Sequence, residues 1–357
     1  MAGLLSAAAT AAAPASAAAP VRVVLGTMTF AGQTDKESAL RMVRKFAASP
    51  LSLTTPELDS ARMYCGGQTE ELLGEVLAEL GTAKDSEEGE PPCAVATKAN
   101  PFMDNTLTAE GVTAQLDATL RALQPAGSVD VFYLHAPDAA VAIEETLEAV
   151  QAAFEARKFK RFALSNFTAW ETVWVHNYMK GKGWVVPVIY QGMMNAITRR
   201  VEDELFPALR RLGMSFYAYN PLAGGMLTGK HSRVSAKESG RFNGETIWGK
   251  IYQQRFMQEK QFDALEGILP ACEAAGIPPA EGALRWMMHH SPLDGGKGDA
   301  VIIGASKMGH FEQNLAALAK GPLPASVVAA YDQGWEMCRG CAPNFSRGFS
   351  GGGASYL

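Results

Sequence analysis

Asp59, Lys98 and His135 each stand directly after a short apolar run, and Tyr64 follows the first of them by five residues. Gathered in one place, such a set can move a proton onto a carbonyl oxygen, provided the tyrosine becomes more acidic than a free phenol at about 10. A lysine cation beside Tyr64 favours the phenolate and supplies that acidity. Asp59 paired with Lys98 would keep the lysine charged and in place, and His135 could donate to the same carbonyl and orient it.

Side chains so far apart in the chain meet only if the fold delivers them. From residue 21 onward, β-branched or apolar runs alternate with stretches of helical period, the pattern of a parallel sheet with crossover helices. Eight strands are expected near residues 21–25, 53–58, 94–97, 129–134, 162–164, 186–190, 215–219 and 300–303. One (β/α)8 barrel over residues 21–347 is the simplest fit to 357 residues. In such a barrel the polar residues just beyond each strand share one mouth. They read Asp59, Lys98, His135, Ser165 with Asn166, Gln191, Asn220, and Gly304 to Ser306, one group for each of strands two to eight.

The segment 107–123 carries Val112, Leu116, Leu120 and Leu123 at helical spacing, with Thr108 ahead of Gly111 and no strong capping box. The interval between strands seven and eight is long and holds HSRVSAKESGRFNGE, which points to a functional insertion. Residues 1–20 (MAGLLSAAATAAAPASAAAP) and 348–357 are expected to be disordered tails, and the acidic run at 85–92 a solvated loop.

A net charge of -5 gives no general attraction to nucleic acid or anionic membranes, and no apolar stretch reaches the roughly 18 to 20 residues of a membrane span. Five cysteines suit a reducing compartment, so a soluble cytoplasmic protein is expected. The Ala- and Ser-rich start, free of acidic residues, leaves organelle import open. GGMLTGKH at 224–231 nearly spells a phosphate-binding loop, but His231 stands where a Ser or Thr must reach magnesium. Cys338 and Cys341 form a lone CxxC with no second pair, and no metal site is expected.

The segment LDSARMYCGGQTEELLG at 58–74 resembles the signature of the aldo-keto reductases, with its Asp, a Tyr five residues on, and a Glu before Leu-Leu-Gly. ATKANP, VDVFYLHAPD, LSNF, VIYQGMMNA, YAYNPLAGGMLTGK and DAVIIGAS with EQN follow in that family's order. The wording is most similar to the aflatoxin-aldehyde and succinic-semialdehyde reductase branch. The resemblance implies reduction of a small carbonyl substrate with NADPH, with Asp59, Tyr64, Lys98 and His135 as the catalytic group. It also implies that Ser165, Asn166 and Gln191 hold the nicotinamide amide while Tyr219 stacks on the ring. Asn220, Pro221, Leu222, Gly224 and Gly225 with Lys230 would line the pyrophosphate. Arg241, Gly304, Ser306, Lys307, Gln313 and Asn314 would surround the adenosine 2′-phosphate end. On the substrate side stand Met28, His135 and Arg347, the last within PNFSR at 343–347. Here Ala305 replaces a lysine common in relatives, and Ser346 an aromatic, which weakens the match at the phosphate and at the chain end. A homodimer is left open, as is an NADPH-binding partner protein of the same fold with little turnover.

Overall fold

The computed structural model describes residues 19–52, 55–81, 93–123, 128–233 and 242–350. Eight parallel strands close on themselves in chain order, with the last pairing the first. They alternate with helices as β1 (Arg22–Gly26), α1 (Lys36–Ala47), β2 (Glu57–Asp59), α2 (Gln68–Gly81), β3 (Ala94–Ala99), α3 (Ala109–Leu123), β4 (Val129–Leu134) and α4 (Ile143–Glu155). The second half continues as β5 (Phe159–Ser165), α5 (Ala169–Gly181), β6 (Pro187–Met193), α6 (Leu205–Leu212) and β7 (Ser215–Tyr219). The long insertion then supplies α7 (Ile247–Phe256), α8 (Glu259–Ala274) and α9 (Pro279–His289) before β8 (Ala300–Ile303), and α10 (Met308–Leu318) and α11 (Ala325–Cys338) follow.

Alternation along each strand sends neighbouring side chains to opposite faces. Val24, Ala96, Val131, Ala163, Ile189 and Ile302 fill the barrel lumen, while Val23, Leu25, Phe132 and Leu134 join the larger core under the helices. Each fully buried Val, Leu, Ile or Phe among them contributes roughly 1.5 to 3 kcal/mol, so the barrel is held from both sides of one sheet. The lumen floor is polar. Glu57 accepts from Arg161 Nη2 at 3.1 Å and from Tyr217 Oη at 3.4 Å, and burial pushes its carboxyl above the usual range.

The outer helices start where side chains satisfy their first N–H groups. Asp35 accepts from Ser38 N at 2.8 Å ahead of α1, and Thr168 and Glu171 form a reciprocal cap at α5. In α3 the helix begins at Ala109, two residues later than the apolar spacing predicts. Thr108 Oγ1 accepts from Gly111 N at 3.1 Å, and Leu107 lies buried outside the helix with its N–H on Asp138.

Strand two is shorter than expected and starts at Glu57, because Pro56 has no N–H for the ladder and offers only its carbonyl, to Ala94 N. Positions 53 and 54 of the expected strand lie outside the described residues, as do 85–92 and most of the polar insertion. Strands five and six run further than their apolar cores, since Ser165 and Gln191 pair in register inside the ladder. The chain end departs from the expected tail over its first three residues. Ser350 N donates to Glu171 Oε1 at 2.7 Å, and the Phe349 ring lies 6.3 Å from that of Trp170. No helix among the described residues is long and apolar enough to cross a membrane.

Candidate active site

The register of β2, β3 and β4 sets Asp59 beside Ala96 and Lys98 beside Tyr133, with His135 one residue beyond β4. Lys98 is only 1% exposed, and its ammonium donates to both Asp59 oxygens at 2.7 Å and to the Ser60 carbonyl at 2.6 Å. Burial pushes Lys98 down from the usual lysine range, and the Asp59 carboxylate works against that. Gln191 Nε2 also donates to Asp59 Oδ1, at 2.8 Å. No local spacing encodes this link across 132 residues, which makes Gln191 part of the ion pair's support.

Tyr64 comes from no strand. It opens a tight turn, Tyr64–Gly67, in which Cys65, Gly66 and Gly67 all have positive φ, at 49°, 63° and 99°. The turn places the phenol ring 5.7 Å from Lys98 Nζ and 6.1 Å from the His135 ring, edge to face. Phe102 closes on His135 from the other side, its ring centroid 5.7 Å away. Burial, then the charges of Lys98 and Arg347, hold His135 well below the usual histidine range, so the imidazole is neutral at pH 7. The four residues expected to do chemistry are therefore brought together.

A second cluster lies beside them. Asn166, at φ 62°, donates from Nδ2 to Ser165 Oγ at 2.9 Å and to the His135 carbonyl at 2.8 Å, and its Oδ1 accepts from Tyr219 Oη at 2.7 Å. Asn220, also at positive φ, accepts from Tyr252 Oη at 3.2 Å, while its Nδ2 is buried with no partner among the described residues. Pro221 is buried and Leu222 half-buried as the chain enters a glycine strap. Gly224 and Gly225 take φ 69° and 115°, and a Cβ on Gly224 would stand 2.6 Å from the Tyr252 ring.

Across the mouth, Gly304 approaches β1 so closely that a Cβ would lie 3.1 Å from the Gly26 carbonyl. Ser306 and Lys307 precede α10, whose first turn has no side-chain cap; Gln313 is exposed and Asn314 buried along it. His310 was not singled out in the sequence. It is exposed at the start of α10; slight desolvation, then the charges of Lys230 and Lys307, hold it below the usual histidine range, so both charges are felt there. Arg241 lies outside the described residues.

Met28 is half-buried in the connection after β1. Arg347 is anchored by its backbone, with N–H on the Asn166 carbonyl at 2.9 Å. Its Nη2 donates to Tyr219 Oη at 3.4 Å, and its Nε is buried with no partner among the described residues. Arg255 on α7 joins it from the insertion, its guanidinium pushed down by burial and by the Arg347 charge. Nothing in the sequence marked Arg255, because its place depends on how the insertion folds over the barrel.

Residues 22–336 match the model of the aldo/keto reductase family. The chain is 43% identical over 338 residues to aflatoxin B1 aldehyde reductase member 2 of Rattus norvegicus, covering 92% of this chain and 89% of that protein. It is 44% identical over 337 residues to the Homo sapiens protein of the same name, with 92% and 90% covered. To aldo-keto reductase family 7 member A3 of Homo sapiens it is 41% identical over 333 residues, with 91% and 96% covered.

Proposed function

The chain belongs to the aldo/keto reductase family and is an oxidoreductase of carbonyl compounds, and from that premise we propose that it reduces aldehydes and ketones with NADPH, Tyr64 giving the proton. The observation that carries this reading is the buried Lys98 ammonium, held on Asp59 at 2.7 Å and facing the Tyr64 ring at 5.7 Å. NADPH supplies a hydride to the carbonyl carbon when bound. Tyr64 delivers the proton to the oxygen, and the Lys98 charge favours the phenolate left behind. His135 is neutral, so it serves as an N–H donor that orients the carbonyl rather than as a cationic acid.

The surrounding residues fit a dinucleotide. Ser165, Asn166, Gln191 and Tyr219 form a polar rim beside the catalytic group, and the buried Asn220 Nδ2 lacks a partner among the described residues. Positive φ at Gly224 and Gly225 keeps the strap's backbone clear for phosphate, with Lys230 at its end. The uncapped start of α10, flanked by Lys230, Ser306 and Lys307, suits the adenosine phosphate, with Gly304, Gln313 and Asn314 around it. A panel of aldehydes followed by loss of NADPH absorbance, with NADH in parallel, tests the reaction and the cofactor together. Charge-assisted contacts to the extra phosphate should favour NADPH in kcat/KM by roughly tenfold to a hundredfold. Equal values for the two cofactors would remove these lysines from the phosphate site.

We assign the substrate side to Met28, Phe102, His135 and Arg347. Arg347, with its buried unpartnered Nε and with Arg255 nearby, makes the mouth attractive to an aldehyde that carries a carboxylate. Arg347→Ala should raise KM for succinic semialdehyde by roughly tenfold to a hundredfold and leave a neutral aromatic aldehyde nearly unchanged. The contact is remote from the reacting carbon and serves ground and transition states alike. Equal losses on both aldehydes, or none on either, would take Arg347 out of the substrate site.

A further inference from the structure

Glu70 sits in the first turn of α2, its side chain wholly buried, yet it touches neither the mouth nor solvent. It gathers donors from two elements and the connection after β2. Arg62 Nη1 donates to Oε2 at 2.9 Å, Thr97 Oγ1 donates to Oε1, and Thr119 Oγ1 lies 3.0 Å from both oxygens. Arg62 precedes Tyr64 by two residues, Thr97 immediately precedes Lys98 on β3, and Thr119 is on α3. The Arg62 backbone N–H also donates to the Lys98 carbonyl, at 3.3 Å.

The turn is shaped around this ion pair. A Cβ at Gly67, where φ is 99°, would stand 1.8 Å from Arg62 Nη2. Only a glycine there lets the guanidinium lie across the turn that begins with Tyr64. A buried carboxylate is costly unless its donors satisfy it, and an apolar residue would fill the same space without that cost. What an apolar residue would not do is tie the tyrosine's turn to the strand that carries the lysine.

We propose that Glu70, acting through Arg62, is a positioning residue that fixes the Tyr64 turn against Lys98. The inference rests on the reading of Tyr64 as proton donor. Tyr64 has no strand to hold it, so its distance from Lys98 depends on its turn, and small displacements of a reacting group are expensive in rate.

The test compares full-length Arg62→Met, Arg62→Lys, Glu70→Gln, the double variant Arg62→Met with Glu70→Gln, and Thr119→Val. Each is assayed for kcat and KM on a neutral aldehyde, for NADPH Kd by quenching of tryptophan fluorescence, and for Tm. Arg62→Met and Glu70→Gln should each lower kcat by about tenfold or more, with Kd moved by less than about twofold. The double variant should lose no more than the worse single, and Arg62→Lys should recover most of the rate. Thr119→Val removes a Glu70 donor on the α3 side, away from Arg62 and the Tyr64 turn, so it should lower Tm and leave kcat intact. A kcat within about twofold of wild type in Arg62→Met overturns the proposal, as does a kcat loss in Thr119→Val that follows its Tm. If Glu70→Gln does not fold, the comparison of Met with Lys at position 62 decides alone. If Tyr64→Phe is itself fully active, the parent reading fails. If it is crippled while Arg62→Met is not, only the positioning role fails.

Discussion

Tyr64→Phe is expected to lower kcat by at least about a hundredfold while leaving NADPH Kd within about twofold of wild type. The substitution removes one oxygen and its proton, and keeps the ring whose edge-to-face contact with His135 has centroids 6.1 Å apart. Packing around Lys98 and His135 is therefore preserved, and the missing atom is the one assigned to protonate the carbonyl oxygen. The Ser165, Asn166 and Tyr219 cluster is untouched, so binding and chemistry should separate. Steady-state rates on a reactive aldehyde such as nitrobenzaldehyde, beside a fluorescence titration with NADPH, measure both. Near wild-type kcat in this variant would return Tyr64 to the status of a half-buried aromatic and leave the proton without a source. His135 could not replace it, because burial and two neighbouring cations keep the ring neutral at pH 7.

The second large effect concerns Asp59 and Lys98, whose losses should not add. Lys98 makes all three of its polar contacts within 2.7 Å, two of them to Asp59. Asp59→Asn leaves a buried ammonium with its counterion gone, and breaking such a pair commonly costs about 3 to 5 kcal/mol. The lysine lessens that cost, without removing it, by losing its proton for part of the time, and its influence on Tyr64 falls accordingly. Lys98→Met removes the same influence directly. The double variant should therefore have a kcat no lower than the worse single, and a higher Tm than Asp59→Asn alone, because no orphaned charge remains. Losses in kcat that multiply across the cycle would mean that the two residues act separately.

Much of the site was legible because the fold places it where apolar runs stop. Asp59, Lys98, His135, Ser165 and Gln191 each follow the apolar run of a strand, and a barrel gives all those positions one destination. Strands four, seven and eight run over the residues that their apolar pattern marks. Strand two was harder to bound, since three residues beside a proline carry little pattern. Tyr64 breaks the strand-end rule altogether and was visible only through a motif, as its turn depends on Gly67 and on Arg62 held by Glu70. Gln191 on Asp59 and Arg255 beside Arg347 were out of reach for another reason. The first is a hydrogen bond and the second a charge influence between segments distant along the chain, and no local spacing encodes which pairs the closed barrel will bring near one another.

The final segment closes the mouth from outside the barrel. Arg347 hangs from the Asn166 carbonyl, and Ser350 is fastened to Glu171 at the start of α5. The pocket is thus finished by a segment that follows all eight strands in the chain. A barrel whose strands have already closed still lacks Arg347 at Tyr219 until this later segment docks, so the mouth is completed after the sheet that frames it. The same arrangement makes residues 347–350 an unsuitable place for a bulky insertion, whereas the segment ahead of β1 joins that strand at its N-terminal end, on the face of the barrel away from the mouth.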